Sequence, residues 1–336
     1  MGKFKELVDS LKDDFVVDST TFSTGIEPID LLLDGGLPYG ITQLVGENQT
    51  GKTTLALQIA YRFCKDGKNV LYINTKGDIT SDDLCRMNLL EYKDKQFIYV
   101  CEATFDKVES LLDRFISTDE LSLIVIDSIA SLMNARYLST GSKGVSSDNG
   151  NSGYNSKPLS MLTKKLAILS VKKKIAVLFT NQYKNTIQMY GKNSGTRTKI
   201  SGPKSLINES KYVIEIHAIS ESNKSSKKFK DCFLGVEAAN KGKSFDFYLN
   251  KGRHPNSSLP YFFEYGIGYV PMYSLVMLLI TEEKITQAGT YYVMSSADLK
   301  VKGMINFLKE LECKLPQDYH EYVSRYYKSL LNASFE

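Results

Sequence analysis

An α/β fold is what this sequence predicts: a central, mostly parallel sheet with an antiparallel extension, flanked by helices. Three observations predict it. Short β-branched runs alternate with stretches whose apolar residues recur at helical spacing through the first half of the 336 residues, which means parallel strands joined by right-handed crossovers. The run Gly46-Glu47-Asn48-Gln49-Thr50-Gly51-Lys52-Thr53 lies between one such strand and one such helix. From Tyr212 onward, strands follow one another with no long helix between them, so that part of the sheet is antiparallel.

A chain of this length buries one large core with small appendages. Its 42 basic and 38 acidic residues leave a net charge of +4, so any basic footprint must be local. Five cysteines (Cys64, Cys85, Cys101, Cys232, Cys313) show no CxxC and no histidine at ligand spacing, which argues against metal and disulfide roles. Scattered thiols fit a reducing cytoplasm. The start, MGKFKELVDSLKDDF, is charged and lacks the apolar centre of a signal peptide, and Glu6 departs from the myristoylation pattern. No apolar run reaches membrane-spanning length. The expectation is a cytoplasmic protein without membrane contact.

Taken in order, Phe4, Leu7, Val8 and Leu11 form one apolar stripe on a short helix, which must dock on something to persist. Phe15-Val16-Val17 follows as a short strand, and Thr21–Gly40 as a compact helix bracketed by glycines. Ile41–Val45 is a buried strand, and Leu55, Ala56, Ile59, Ala60 and Phe63 mark the helix after the glycine-rich run. Asn69–Asn74 and Gln96–Val100 are strands, with Ser81–Leu90 helical between them and Phe105–Ser117 helical after them. Leu121–Asp127 is an apolar strand ending in an acid, and Ile175–Thr180 one ending in Asn181-Gln182. Tyr212–His217, Cys232–Ala238, Phe245–Asn250 and Tyr261–Glu264 make the antiparallel part. From Tyr273 the pattern turns helical around a small Tyr291–Met294 strand, with Val301–Glu312 and Tyr319–Leu331 as helices. The expected division is an N-terminal arm over 1–20, a core over 21–272 and a small C-terminal α/β unit over 273–336.

Two segments read as long loops. Ser139–Lys157 is rich in Gly, Ser and Asn, and Lys184–Lys211 carries six cations against Glu209. Loops of this length inside a domain are functional or disordered, and both lie toward the carboxyl ends of core strands, where open α/β sheets bind ligands.

The chemistry follows from residue types. Gly46–Thr53 fits G-x-x-x-x-G-K-[ST] without substitution, in the strand–loop–helix setting that the motif needs. Gly46 and Gly51 let successive N–H groups turn toward a phosphate, aided by the positive end of the following helix. Glu47, Asn48, Gln49, Thr50 and Thr54 complete the wrap, Lys52 reaches the β- and γ-phosphates, and Thr53 holds Mg²⁺. This is a nucleoside-triphosphate site. Asp127 suits the metal, with Ser128 either supporting it or capping the next helix. Gln182 is either a γ-phosphate contact or a strand-end turn. Tyr190, Lys192, Arg197, Lys199 and Lys204 form either a solvated basic face or a single-strand nucleic-acid site, in which cations track the backbone and an aromatic stacks a base. Lys224–Lys230 reads as a basic hairpin tip.

Together these residues resemble the RecA recombinase family, its phage-encoded branch in particular. The likeness runs from Phe22-Ser23-Thr24-Gly25 and Gly35–Gly40 through GENQTGKTTLALQ, LIVIDSIASL and FTNQ to MYGKNSGT, Lys251-Gly252-Arg253 and YFFEYGIGY. It implies a RecA-like P-loop core that takes ATP and Mg²⁺, with Lys52, Thr53 and Asp127 at phosphate and metal. Gln182 would sense the γ-phosphate, and Lys251 and Arg253 would reach ATP on a neighbouring subunit. The two long loops would contact DNA, and the N-terminal stripe would build a helical homo-oligomer. The implied function is an ATP-dependent recombinase that pairs single-stranded with double-stranded DNA, aided by single-strand-binding or loader proteins. Alternatives are a filament or mediator with little hydrolysis, and a hexameric helicase motor.

One departure stands out. Where the family ends its second core strand with a water-activating Glu, an ungapped match puts Lys76, and the adenine-stacking position falls on Asp83. Asp78 and Glu102 are the substitute acids within reach along the chain.

Overall fold

The protein was analysed as a computed structural model that describes residues 20–134, 151–188, 195–218, 242–271, 284–295, 298–314 and Lys328. Strands β1 (Thr21–Phe22) and β2 (Leu37–Pro38) pair around helix α1 (Glu27–Leu32). Then come β3 (Gly40–Gly46), α2 (Lys52–Lys65), β4 (Asn69–Asn74), α3 (Ser81–Arg86), β5 (Phe97–Cys101), α4 (Phe105–Ile116) and β6 (Leu121–Asp127). They are followed by α5 (Asn151–Lys172), β7 (Ala176–Asn181), the hairpin β8 (Tyr183–Gln188) and β9 (Gly195–Ile200), and α6 (Lys204–Glu209). Last in the core are β10 (Tyr212–Ala218), β11 (Gly242–Lys251), β12 (Ser258–Glu264) and β13 (Gly268–Tyr269).

Among the described residues the main sheet runs β13-β12-β11-β10-β3-β7-β6-β4-β5. From β10 to β5 every neighbour is parallel; β10 to β13 is antiparallel. That is the expected mixture. Alternate residues of one strand serve opposite faces. Val70 and Tyr72 pack under α2 with Leu55, Ile59 and Phe63, whereas Leu71 and Ile73 pack under α4 and α5 with Val108, Leu112 and Leu162. Burial on both faces is why these strands read as continuous apolar runs.

A second sheet joins β14 (Thr286–Ala288), β15 (Tyr291–Met294) and β16 (Leu299–Lys302), with α7 (Met304–Lys314) burying Phe307 and Leu311 near Tyr292. No helix among the described residues is long and apolar enough to cross a membrane.

Three expectations are corrected. The segment read as a loop over 139–157 gives way to helix at Asn151, and α5 continues to Lys172. Leu159, Leu162 and Leu166 seat it on the sheet, and that burial outweighs the helix-poor composition of its start and the Pro158 inside it. The segment over 184–211 is mostly regular: a β-hairpin and then α6. Val301 belongs to a strand, paired with Tyr292, and Gly303 at φ 81° separates it from α7. Residues 4–11, 15–17, 224–230, 232–238, 273–283 and, Lys328 apart, 319–331 lie outside the described residues.

Candidate functional site

β3 delivers Gly46 to the edge where strand ends lie side by side: Ile216 beside Gly46, Asn181 beside Val45, and Asp127 beside Asn74. The chain turns there and starts α2 at Lys52. Gly51, at φ 79°, is doubly constrained, since a Cβ would also come within 2.3 Å of the Phe263 ring. A Cβ on Gly46 would stand 2.7 Å from Thr50 Oγ1. Thr50 donates its hydroxyl to the Glu47 carbonyl at 2.9 Å, and the Lys52 ammonium donates to that carbonyl and, at 3.2 Å, to Thr50 Oγ1. Burial and the nearby Lys76 push the Lys52 ammonium down to about 8, against the pull of Asp127 and Glu47.

A cleft of about 270 Å³ opens over this loop, lined by Asn48, Gln49, Lys52, Thr53 and Thr54 and by Lys76, Asp78, Asp127 and Gln182. Asp127 is buried and accepts from Tyr72 Oη at 2.8 Å and Thr180 Oγ1 at 2.5 Å. Burial and that carboxylate hold the Tyr72 phenol well above its usual range, so it stays a donor. The residues fit a magnesium triphosphate. A turn that admits only glycine at its hinge leads into a helix N-terminus, and Lys52, Thr53 and Asp127 line the same space. The described residues contain no cluster of three His, Cys, Asp or Glu that could hold a metal; Mg²⁺ needs only one or two such ligands when phosphates supply the rest.

The loop after β4 is fixed from below. Asn74 Oδ1 accepts the Lys76 and Gly77 amides at 3.1 and 3.2 Å, and Asn74 Nδ2 donates to Tyr99 Oη at 2.8 Å. Lys76 and Asp78 line the cleft. Glu102 does not line it. Its Oε1 accepts from the Ala103 and Thr104 amides and the Thr104 hydroxyl at 2.8–3.0 Å, and its Oε2 pairs with Lys107 at 3.2 Å. Partial burial pushes this carboxyl up, but the Thr104 and Lys107 bonds outweigh it and leave it below the usual range.

Gln182 lines the cleft and also starts the hairpin: its carbonyl accepts the Ser201 amide at 2.8 Å. Beneath it, Asn181 Nδ2 donates to Ser201 O at 3.0 Å and to Gln43 Oε1 at 3.1 Å, and Gln43 Nε2 donates to Leu206 O at 3.0 Å and Ser210 Oγ at 2.8 Å. On the hairpin, Lys184 faces Lys199 across the register and Thr186 faces Arg197. Lys184, Lys199 and Lys204 are exposed. Tyr190 and Lys192 lie outside the described residues. A second cleft, of about 400 Å³, is lined by Asn155 and Leu159 of α5, by Lys184, Lys199 and Pro203 around the hairpin base, and by Leu132, among others.

Lys251 and Arg253 do not line the Lys52 cleft. Lys251 donates to the Ile207 and Asn208 carbonyls at 2.9 and 2.7 Å, capping the end of α6, and exposed Arg253 stands 3.8 Å from Asp34. Sequence reasoning missed the grip of β12–β13 on α2. Phe263 lies under Gly51, and Gln58 exchanges two hydrogen bonds with the Tyr269 backbone, leaving Tyr265 and Ile267 exposed at the turn. The aromatic run YFFEYGIGY was the available signal.

The sequence profile of the RecA N-terminal domain matches residues 3–234. The chain belongs to the RecA N-terminal domain family. It is 28% identical over 241 residues to Protein RecA of Malacoplasma penetrans, covering 67% of each chain. It is 31% identical over 179 residues to Protein RecA of Mycoplasma genitalium, covering 52% of this chain and 50% of that one. To the DNA repair and recombination protein RadB of Methanosphaera stadtmanae it is 28% identical over 161 residues, 46% of this chain and 64% of that one. The matched stretch thus spans half to two thirds of these relatives. The large, mostly parallel sheet described above is the RecA-like core.

Proposed function

We propose that this protein is an ATP-dependent recombinase, which assembles as a helical homo-oligomer on single-stranded DNA and pairs it with double-stranded DNA. One observation carries the proposal: Gln182 belongs to both sites. Its residue lines the triphosphate cleft while its carbonyl holds Ser201 at the base of the basic hairpin, so a change at the γ-phosphate reaches Lys184 and Lys199 through one residue. Lys52, Thr53 and Thr54 take the phosphates and Asp127 the Mg²⁺ that ATP brings. The hairpin and the second cleft take the DNA backbone, with Tyr190 stacking a base.

In this reading residues 1–20 are the oligomerisation arm, 21–272 the core and 273–336 a small C-terminal domain. Among the described residues β5 ends the main sheet, and such an edge offers a neighbouring arm a place to pair. Lys251 and Arg253 lie outside their own chain's cleft, and in this reading exposed Arg253 reaches a neighbour's, with Lys251 joining it on release from the end of α6. The motifs FTNQ and MYGKNSGT support the phage-encoded branch, and a host cytoplasm as the setting. Single-strand-binding or loader proteins complete the expected partners.

Lys76 favours a second reading, a filament that binds ATP and DNA but hydrolyses slowly. Asp127 and Asp78 are the carboxylates that line the cleft, so Asp78 is the candidate base. ATP turnover with and without single-stranded DNA, beside electron microscopy of the same mixture, decides. DNA-stimulated turnover with filaments supports the recombinase, and filaments with negligible turnover support the second reading. Absence of both refutes the proposal.

A further inference from the structure

We infer that Lys76 is a second phosphate-binding cation, which joins Lys52 at the terminal phosphate and makes the cleft selective for triphosphate over diphosphate. The inference rests on the nucleotide reading of the cleft, and the geometry supports it in three ways. Lys76 lines the same cleft as Lys52, Asp127 and Gln182, two residues after Asn74, which pairs with Asp127 in the sheet. Asp127 and Thr53 would hold the Mg²⁺ that comes with a triphosphate, and a cation beside Asp127 would add positive charge at the phosphate end of the nucleotide.

The backbone that carries Lys76 is also fixed. Asn74 Oδ1 holds its amide and that of Gly77, and Thr75 is tied to Ser128 by two hydrogen bonds. The ammonium is therefore delivered from a braced turn rather than from a loose surface loop. Finally, Lys76 is exposed, and no salt bridge or side-chain hydrogen bond occupies it among the described residues. Its field reaches Lys52, where it helps to hold that ammonium low. Two neighbouring cations repel each other, and a polyanion relieves the repulsion.

The test is equilibrium binding of a fluorescent ATP and a fluorescent ADP, each with Mg²⁺, to the full chain and to Lys76→Gln, as a function of salt. Thermal melting checks that the variant is folded. Loss of a charge-assisted bond predicts about a tenfold or greater weakening for ATP, a much smaller change for ADP and a shallower salt dependence. Equal binding of both nucleotides by wild type and Lys76→Gln overturns the assignment of Lys76 alone. A wild type that binds neither nucleotide overturns the nucleotide reading and this inference with it.

Discussion

Thr75 holds Ser128 from both sides: its hydroxyl accepts the Ser128 amide at 2.8 Å and donates to the Ser128 carbonyl at 2.9 Å. Thr75 also donates its own amide to the Asp127 carbonyl at 2.8 Å. One side chain thus locks the end of β4, which carries Lys76 and Asp78, to the end of β6, which carries Asp127.

Replacing Thr75 with Val keeps the shape and removes the lock. The buried Ser128 amide then lacks a partner, which costs about 1–3 kcal/mol. Urea unfolding should show that loss, and Thr75→Ser, which keeps the hydroxyl, should recover most of it. Equal midpoints for wild type and Thr75→Val would remove the lock from the account.

Gly51 and Phe263 make a second coupled pair. Gly51→Ala meets both a left-handed φ and the ring at 2.3 Å, so it should lower stability by about 1–3 kcal/mol, as overpacking does. In a Phe263→Ala background the ring clash is gone and only the backbone strain remains. The double-mutant cycle should therefore give a coupling above about 0.5 kcal/mol. Additive effects would mean that the ring gives way freely.

The lowered Lys52 pKa sets a pH dependence. Below about 8 the free ammonium is charged and ready for phosphate; above it the charge is lost before binding. Phosphate raises the pKa in the complex, so ATP affinity should be level from pH 7 to 7.5. It should then fall by up to about tenfold per unit above 8. Isothermal titration across pH 7–9.5 reads this directly, and a flat profile would show that Lys52 does not titrate there.

Much of the parallel core was legible because its strands are buried on both faces. Asn69–Asn74 and Leu121–Asp127 match the structure residue for residue, and the glycine-rich motif marks its own loop. The signal weakened where burial comes from afar. The start of α5 is polar in composition and becomes helix because Leu159, Leu162 and Leu166 dock on the sheet. The basic segment looked like a pliable loop, although Tyr183–Gln188 and Gly195–Ile200 close a six-residue ladder. Lys76 lines the cleft, whereas the hydrogen bonds that tie Glu102 to Thr104 could not be read from the sequence.

For the hairpin, Lys199→Ala and Lys184→Ala should each lower the salt slope of single-strand binding by about one unit. Tyr190→Ala should instead weaken binding by about 1–3 kcal/mol with the slope unchanged, if a base stacks there. Anisotropy of a labelled oligonucleotide at several salt concentrations separates the two effects. Wild-type binding by all three variants would reduce the hairpin to a solvated face.

The central claim is that one triphosphate cleft controls DNA binding through Gln182. It is tested most directly by single-stranded DNA affinity, with and without MgATP, for wild type, Lys52→Ala and Gln182→Ala. The account predicts that MgATP tightens DNA binding by wild type at least tenfold. Lys52→Ala should show no gain because it does not take the nucleotide, and Gln182→Ala should bind ATP yet leave DNA affinity unchanged. An equal ATP-dependent gain in all three proteins would contradict it.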